Sequence, residues 1–150
     1  MVTRKVAAAV AVPLALAASL VLAACSEEAS FEEPETPAEL AVAEPVELLH
    51  HALEAGDGDL ACSQLEPTLA TQRAANADVA NCPESVNPDG EPVDGDPLVH
   101  SIDIEGSEAT AYASTEYAGA QDGWKYSLER GGGGAWLITD ADFLGSATGE

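Results

Sequence analysis

Positive charge is what this chain has least of. Its 150 residues hold five Lys or Arg against 27 Asp or Glu, a formal net charge of −22. Arg4 and Lys5 lie in the first five residues, so from residue 25 onward all the acidic side chains face only Arg73, Lys125 and Arg130. Nucleic-acid affinity comes mainly from cationic side chains that displace counterions from phosphates, and such a chain repels phosphate backbones and anionic headgroups alike. Nucleic acid is therefore excluded as a partner. Cysteine is scarce too, at three, and none of them forms the closely spaced ligand pair of a zinc site. Nothing places a nucleophile beside His50, His51 or His100, and a histidine without an identified partner is more often a surface or packing residue than a catalytic one. The length leaves room for one modest domain.

What is present begins with an address. Arg4 and Lys5 precede an uncharged run from Val6 to Ala24, about 19 residues rich in Ala, Val and Leu, and then Leu22-Ala23-Ala24-Cys25. The run approaches the roughly 20 residues that cross a bilayer, so a retained anchor or a plain secretory leader competes with a cleaved lipoprotein signal. Leu-Ala-Ala-Cys resembles the lipobox of bacterial lipoprotein signal peptides at all four positions. That resemblance implies a signal peptide over 1–24, a diacylglyceryl (and palmitate) group on Cys25, and a cell-membrane protein on the extracytoplasmic face. Two acyl chains anchor durably where one is marginal.

Residues 25–44 turn abruptly to Glu, Ala and Pro without a positive charge. Such a composition buries too little apolar surface to offset chain entropy, and it predicts a disordered acidic tether.

The folded domain is expected over 45–150. Pro45 suits a first helical turn, and Val46, Leu48, Leu49, Ala52 and Leu53 share one helical face up to Gly56. Asp57-Gly58-Asp59 offers a turn and an N-cap, and Pro67 divides the next apolar-periodic stretch into helices near 59–65 and 67–78. A helical hairpin is the expectation. Outside a reducing cytosol, Cys62 and Cys82 read as a disulfide. The loop 83–97 carries Asp89, Glu91, Asp94 and Asp96; clustered carboxylates suit calcium, but the spacing does not fit an EF-hand, and an acidic surface loop is the better reading. No metal or cofactor is expected.

From Leu98 the period becomes two. Leu98, His100, Ile102 and Ile104 alternate with Val99, Ser101, Asp103 and Glu105. Gly106-Ser107 turns into a strand whose Ala109, Ala111 and Ala113 oppose Thr110, Tyr112 and Ser114. A third strand at 123–130 puts Trp124, Tyr126 and Leu128 on one side, and Gly131 to Gly134 leads to a fourth at 135–140. The fold class is α+β, with the helices covering the apolar face of a four-stranded antiparallel sheet. Trp124 and Trp136 are expected in the core.

The element order, Ala55-Gly56-Asp57 followed by Cys62, and Gly134-Ala135-Trp136-Leu137-Ile138 resemble the NTF2-like superfamily, in particular small actinobacterial lipoproteins of that class. The resemblance covers about residues 45–142 and implies a curved sheet closed into a cone, often with a disulfide from the helices to the following loop. Ketosteroid isomerase is the superfamily's enzymatic example, and an isomerase of that type needs a carboxylate base plus a Tyr and a protonated acid in an apolar pocket. Asp103, Tyr112, Tyr126 and Asp142 are the candidates here, though their flanking residues match no catalytic motif and Asp103 falls on the polar side of its strand. Three functions are thus in view. The first is a non-enzymatic envelope module binding a partner protein or small apolar ligand; the second is a pocket enzyme or ligand carrier, and the third a weak divalent-cation surface module.

Overall fold

A computed structural model describes residues 33–90, 94–117 and 120–148. These fall within one compact unit, Phe31–Glu150, which contains the whole core, the sheet and the disulfide. Cys25 and the apolar leader lie outside the described residues, as does Glu91.

The first helix, α1, spans Pro37–Ala55, two turns earlier than the predicted start at Pro45. Residues 37–44, expected to be tether, belong to it. The cause is a capping box: the Glu39 backbone N–H donates to Thr36 Oγ1 at 3.2 Å, and the Thr36 N–H donates to Glu39 Oε2 at 2.9 Å. Pro37 then fits the first turn, where its missing N–H costs nothing. Pro45 sits inside the helix, where a proline forfeits a hydrogen bond; burial of Val42, Ala43 and Val46 around it offsets that loss. Gly56 (φ 70°) ends the helix in the left-handed region. A Cβ there would strike the Pro88 carbonyl, and one at Gly90 would strike that of Glu54, so the loop after the disulfide sits directly on the end of α1.

Helix α2 is Gly58–Ser63, with Asp57 accepting the Leu60 N–H at 3.0 Å, and α3 is Pro67–Asn76, with the Glu66 carboxylate accepting the Thr68 N–H at 2.7 Å. Both lie close to their predicted positions, and Pro67 separates them. Cys62 and Cys82 are bonded, S–S 1.96 Å, tying α2 to the single 3₁₀ turn Pro83–Ser85.

The sheet is an antiparallel meander of β1 (Asp94–Glu105), β2 (Glu108–Tyr117), β3 (Ala120–Arg130) and β4 (Trp136–Thr148), in the spatial order β1-β2-β3-β4. The inner face collects Ala109, Ala111, Ala113, Tyr126, Leu128, Trp136 and Ile138 with α1's Val42, Val46 and Leu49 in one core. The molecule is α+β, a four-stranded antiparallel sheet with helices packed against it. A further tie joins the segment before α3 to the edge of the sheet: the Glu66 N–H donates to Ile138 O at 2.8 Å and the Ile138 N–H to Gln64 O at 2.9 Å.

The predicted facing of β1 is corrected. Ser101 has a positive φ (52°), and the β1–β2 register slips between His100 and Asp103. Across this bulge the facing residues swap, so Val99 is buried opposite Ala113 while Leu98, opposite Ser114, is 42% exposed. Only Ile102 and Ile104 keep the predicted inward side. Phe143, on the part of β4 that runs past the predicted end at Asp140 to Thr148, is 53% exposed.

Candidate functional site

The inner face holds one buried pair capable of acid–base chemistry. His50 lies on α1 one turn after Val46, and so faces the sheet with the apolar stripe. Its Nε2 and the Tyr126 hydroxyl share a hydrogen bond of 2.7 Å, with ring centroids 5.9 Å apart and planes nearly perpendicular. The two residues are 7% and 3% exposed. Burial, helped by the neighbouring His51, pushes the His50 imidazole down to about 4, and burial raises the Tyr126 hydroxyl well above its ordinary range. At neutral pH the pair is uncharged. Trp124 stacks beside Tyr126 at 6.4 Å, and Phe143 lies 5.0 Å from Trp124.

The other predicted candidates are not brought to this pair. Asp103 is exposed on the outer face, in register with Thr110. Tyr112 pairs in register with His100 and Lys125 on that same face, and Asp142 is exposed, its Oδ2 4.0 Å from Lys125 Nζ. Tyr126 itself is flanked in register by Ala111 and Ala141, so neither strand neighbour brings a carboxylate to its hydroxyl. His51 is half-exposed, 3.6 Å from Asp96. His100 is buried on the outer face, and that burial lowers its basicity. Among the described residues, no group of three His, Cys, Asp or Glu is arranged to hold a metal.

Among the described residues, several concavities open at the surface. One of about 270 Å³ lies over the acidic outer positions Asp103, Glu105, Glu108 and Glu129. Another, about 390 Å³, lies between Tyr112, Gly123 and Leu144. The third, also about 390 Å³, lies between α3 and β4, floored by Leu49, Leu65 and Leu69 with Arg73 at one side. None of these is lined by His50 or Tyr126.

Sequence reasoning missed the His50–Tyr126 bond and the α3–β4 groove. A signal for the first exists, since His50 falls four residues after Val46 on the apolar stripe. The groove has none, because it depends on where α3 meets the far strand.

No family model matches the chain, and no curated protein or solved structure matches it. Among the described residues, no helix is long and apolar enough to cross a membrane.

Proposed function

We propose that this protein is an extracytoplasmic envelope lipoprotein, held on the cell membrane by a diacylglyceryl group on Cys25. Its folded part is a binding module for a partner protein or a small apolar ligand. We further read the helices and sheet as a helical hairpin closing an NTF2-like cone. That reading is supported by α1 packing against α2 and lying against β1 and β4, the two outermost strands, as it would inside a curled sheet. The bulges in the β1–β2 and β3–β4 ladders are of the kind that bend strands.

One observation carries the choice of a binding module over an isomerase. In the buried pair the His50 Nε2 and the Tyr126 hydroxyl bond to each other, and neither strand neighbour of Tyr126 brings a carboxylate to them, whereas proton abstraction beside a carbonyl needs a carboxylate base next to the oxyanion donor. Turnover of an enolisable ketone that is lost in Tyr126→Phe would overturn that choice.

The anchor rests on Leu22-Ala23-Ala24-Cys25 and is tested in cells. The full chain and its Cys25→Ser variant are expressed in a bacterium fed an alkyne-tagged fatty acid. Label on the wild type and none on the variant is the expected outcome. An unlabelled wild type with a free Cys25 thiol, or with its leader retained, would refute the lipoprotein reading.

A further inference from the structure

The sheet is open, so β1 and β4 are its edges, and an edge strand leaves every second backbone N–H and C=O without a partner in the sheet. The β1 edge is poor ground for another strand. Asp94, Asp96, Asp103 and Glu105 charge it, Pro97 has no N–H, and its ladder to β2 slips on both sides of Leu98–His100.

Along β4 the first outward groups are in use. The Ile138 N–H and C=O are bonded to Gln64 and Glu66, and the Ala141 N–H donates to Asp140 Oδ1 at 3.0 Å. The register from Ala141 to Phe143 is regular, so the Phe143 N–H and C=O point away from β3 in the same way. From Phe143 to Ala147, no described residue outside β3 bonds the backbone. This stretch contains neither a charge nor a proline, and Phe143 and Leu144 are 53% and 58% exposed.

The chemistry of this edge names its occupant. Alternating backbone donors and acceptors are matched by another extended chain, a ladder that no helix, lipid or small molecule presents. Side chains decide which chain. An added antiparallel strand sets alternate residues beside Phe143 on the inner face and beside Asp140 and Asp142 on the outer face. The outer concavity of about 390 Å³ between Tyr112, Gly123 and Leu144 opens along residues 144–147, so the stems of long basic side chains have apolar surface to lie on. A second copy of this chain would bring the same aspartates to the same edge, on a domain of the same strong negative charge. Charge complementarity therefore selects a cationic partner.

We infer that the free end of β4 takes up an extended segment of a partner protein as an added antiparallel strand, one that alternates apolar side chains toward Phe143 with basic ones toward Asp140 and Asp142. This deepens the binding-module reading and rests on it. The test titrates the end-capped peptide Lys-Val-Lys-Val-Lys into isotopically labelled residues 31–150 and follows the backbone amides by NMR. Glu-Val-Glu-Val-Glu reverses the charge. Lys-Pro-Lys-Pro-Lys keeps the charge and removes the N–H groups that would pair with Phe143. On the protein, Phe143→Pro removes the outward N–H while leaving the ladder to β3, and its melting curve checks that it folds. The expected result is saturable binding of Lys-Val-Lys-Val-Lys with the largest amide shifts in residues 141–147, weakened at least about tenfold for either other peptide and for folded Phe143→Pro. Absence of binding, equal binding of the proline peptide, shifts centred elsewhere on the sheet, or unchanged affinity in folded Phe143→Pro would overturn the inference. So would a dimer of the domain that forms through β4 without peptide. If Phe143→Pro does not fold, the proline peptide on the wild type decides. Failure of the titration removes only this partner class, whereas ketone turnover lost in Tyr126→Phe strikes the binding-module reading itself.

Discussion

The two faces of the sheet are made by the same four strands and differ in almost every respect. Along β2 and β3 the inner positions Ala109, Ala111, Ala113, Tyr126 and Leu128 are each at most 6% exposed. One residue over, the outer positions Asp103, Glu105, Glu108 and Glu129 are open to solvent, and Glu105, Glu108 and Glu129 stand in a cross-strand row of like charge. Alternation alone produces this split, since successive side chains leave a strand on opposite sides. The inner face supplies the cohesion, the outer face the charge. The polar pair that does enter the inner face is neutral and mutually bonded, which is the inexpensive way to bury a histidine and a tyrosine.

The sharpest way to break the contrast is to truncate one leucine on each side. Leu128 is 1% exposed and Leu144 58%. Leu128→Ala should cost about 3 kcal/mol through lost transfer energy and a cavity, and Leu144→Ala less than about 0.5 kcal/mol. Equal costs in denaturant melts would mean that the outer face is covered.

Reduction of Cys62–Cys82 comes next. Opening a loop closed across 20 residues should remove roughly 3 kcal/mol, seen as a lower melting temperature with a reductant present. An unchanged melt would mean that the helical side holds without its cross-link.

Protonation of the inner pair is smaller and has a definite sign. The folded protein holds His50 near 4 while the unfolded chain titrates near 6.5, so the unfolded chain binds the extra proton between those values. Stability from this residue is complete above about pH 6.5 and is lost as pH falls through the window, about 2 kcal/mol between pH 7.5 and 5. Carboxylate titration over the same range is cancelled by comparison with His50→Gln, which keeps an amide partner for Tyr126. A pH dependence identical in both proteins would contradict the buried, neutral histidine.

The smallest effect belongs to the outer row. Glu108→Lys replaces two like-charge neighbours with two opposite-charge ones and should raise stability by about 0.5 kcal/mol at low salt, fading at high salt. A loss of stability would show that the acidic row is held by something other than solvent.

Legibility in the sequence divides along the same line. The faces of β2 and β3 were readable because the period of two runs unbroken from Ala109 to Ser114 and from Trp124 to Glu129. β1 was misread at Leu98 and Val99 because a bulge at Ser101 shifts the phase, and a serine in the left-handed region carries no mark in the sequence. The start of α1 was placed too late for the opposite reason. Thr36 and Glu39 spell a capping box, but the acidic composition around them and the proline at 45 pointed to a tether ending there. The Asp and Tyr candidates were chosen by residue type, and register decides their company: it sends Asp103 and Tyr112 outward and leaves Tyr126 with a helical histidine. Arg73 beside an apolar groove depends on contacts between elements far apart in the chain, which no local pattern encodes.

The central claim is that the interior is closed and its acid–base pair is structural. The most direct test is an NMR pH titration of the His50 imidazole in residues 31–150. The expected midpoint lies near 4 and moves upward when Tyr126→Ala opens the space around the ring. A midpoint near 6.5 in the wild type would show water reaching the pair and would make His50 and Tyr126 an accessible acid–base couple.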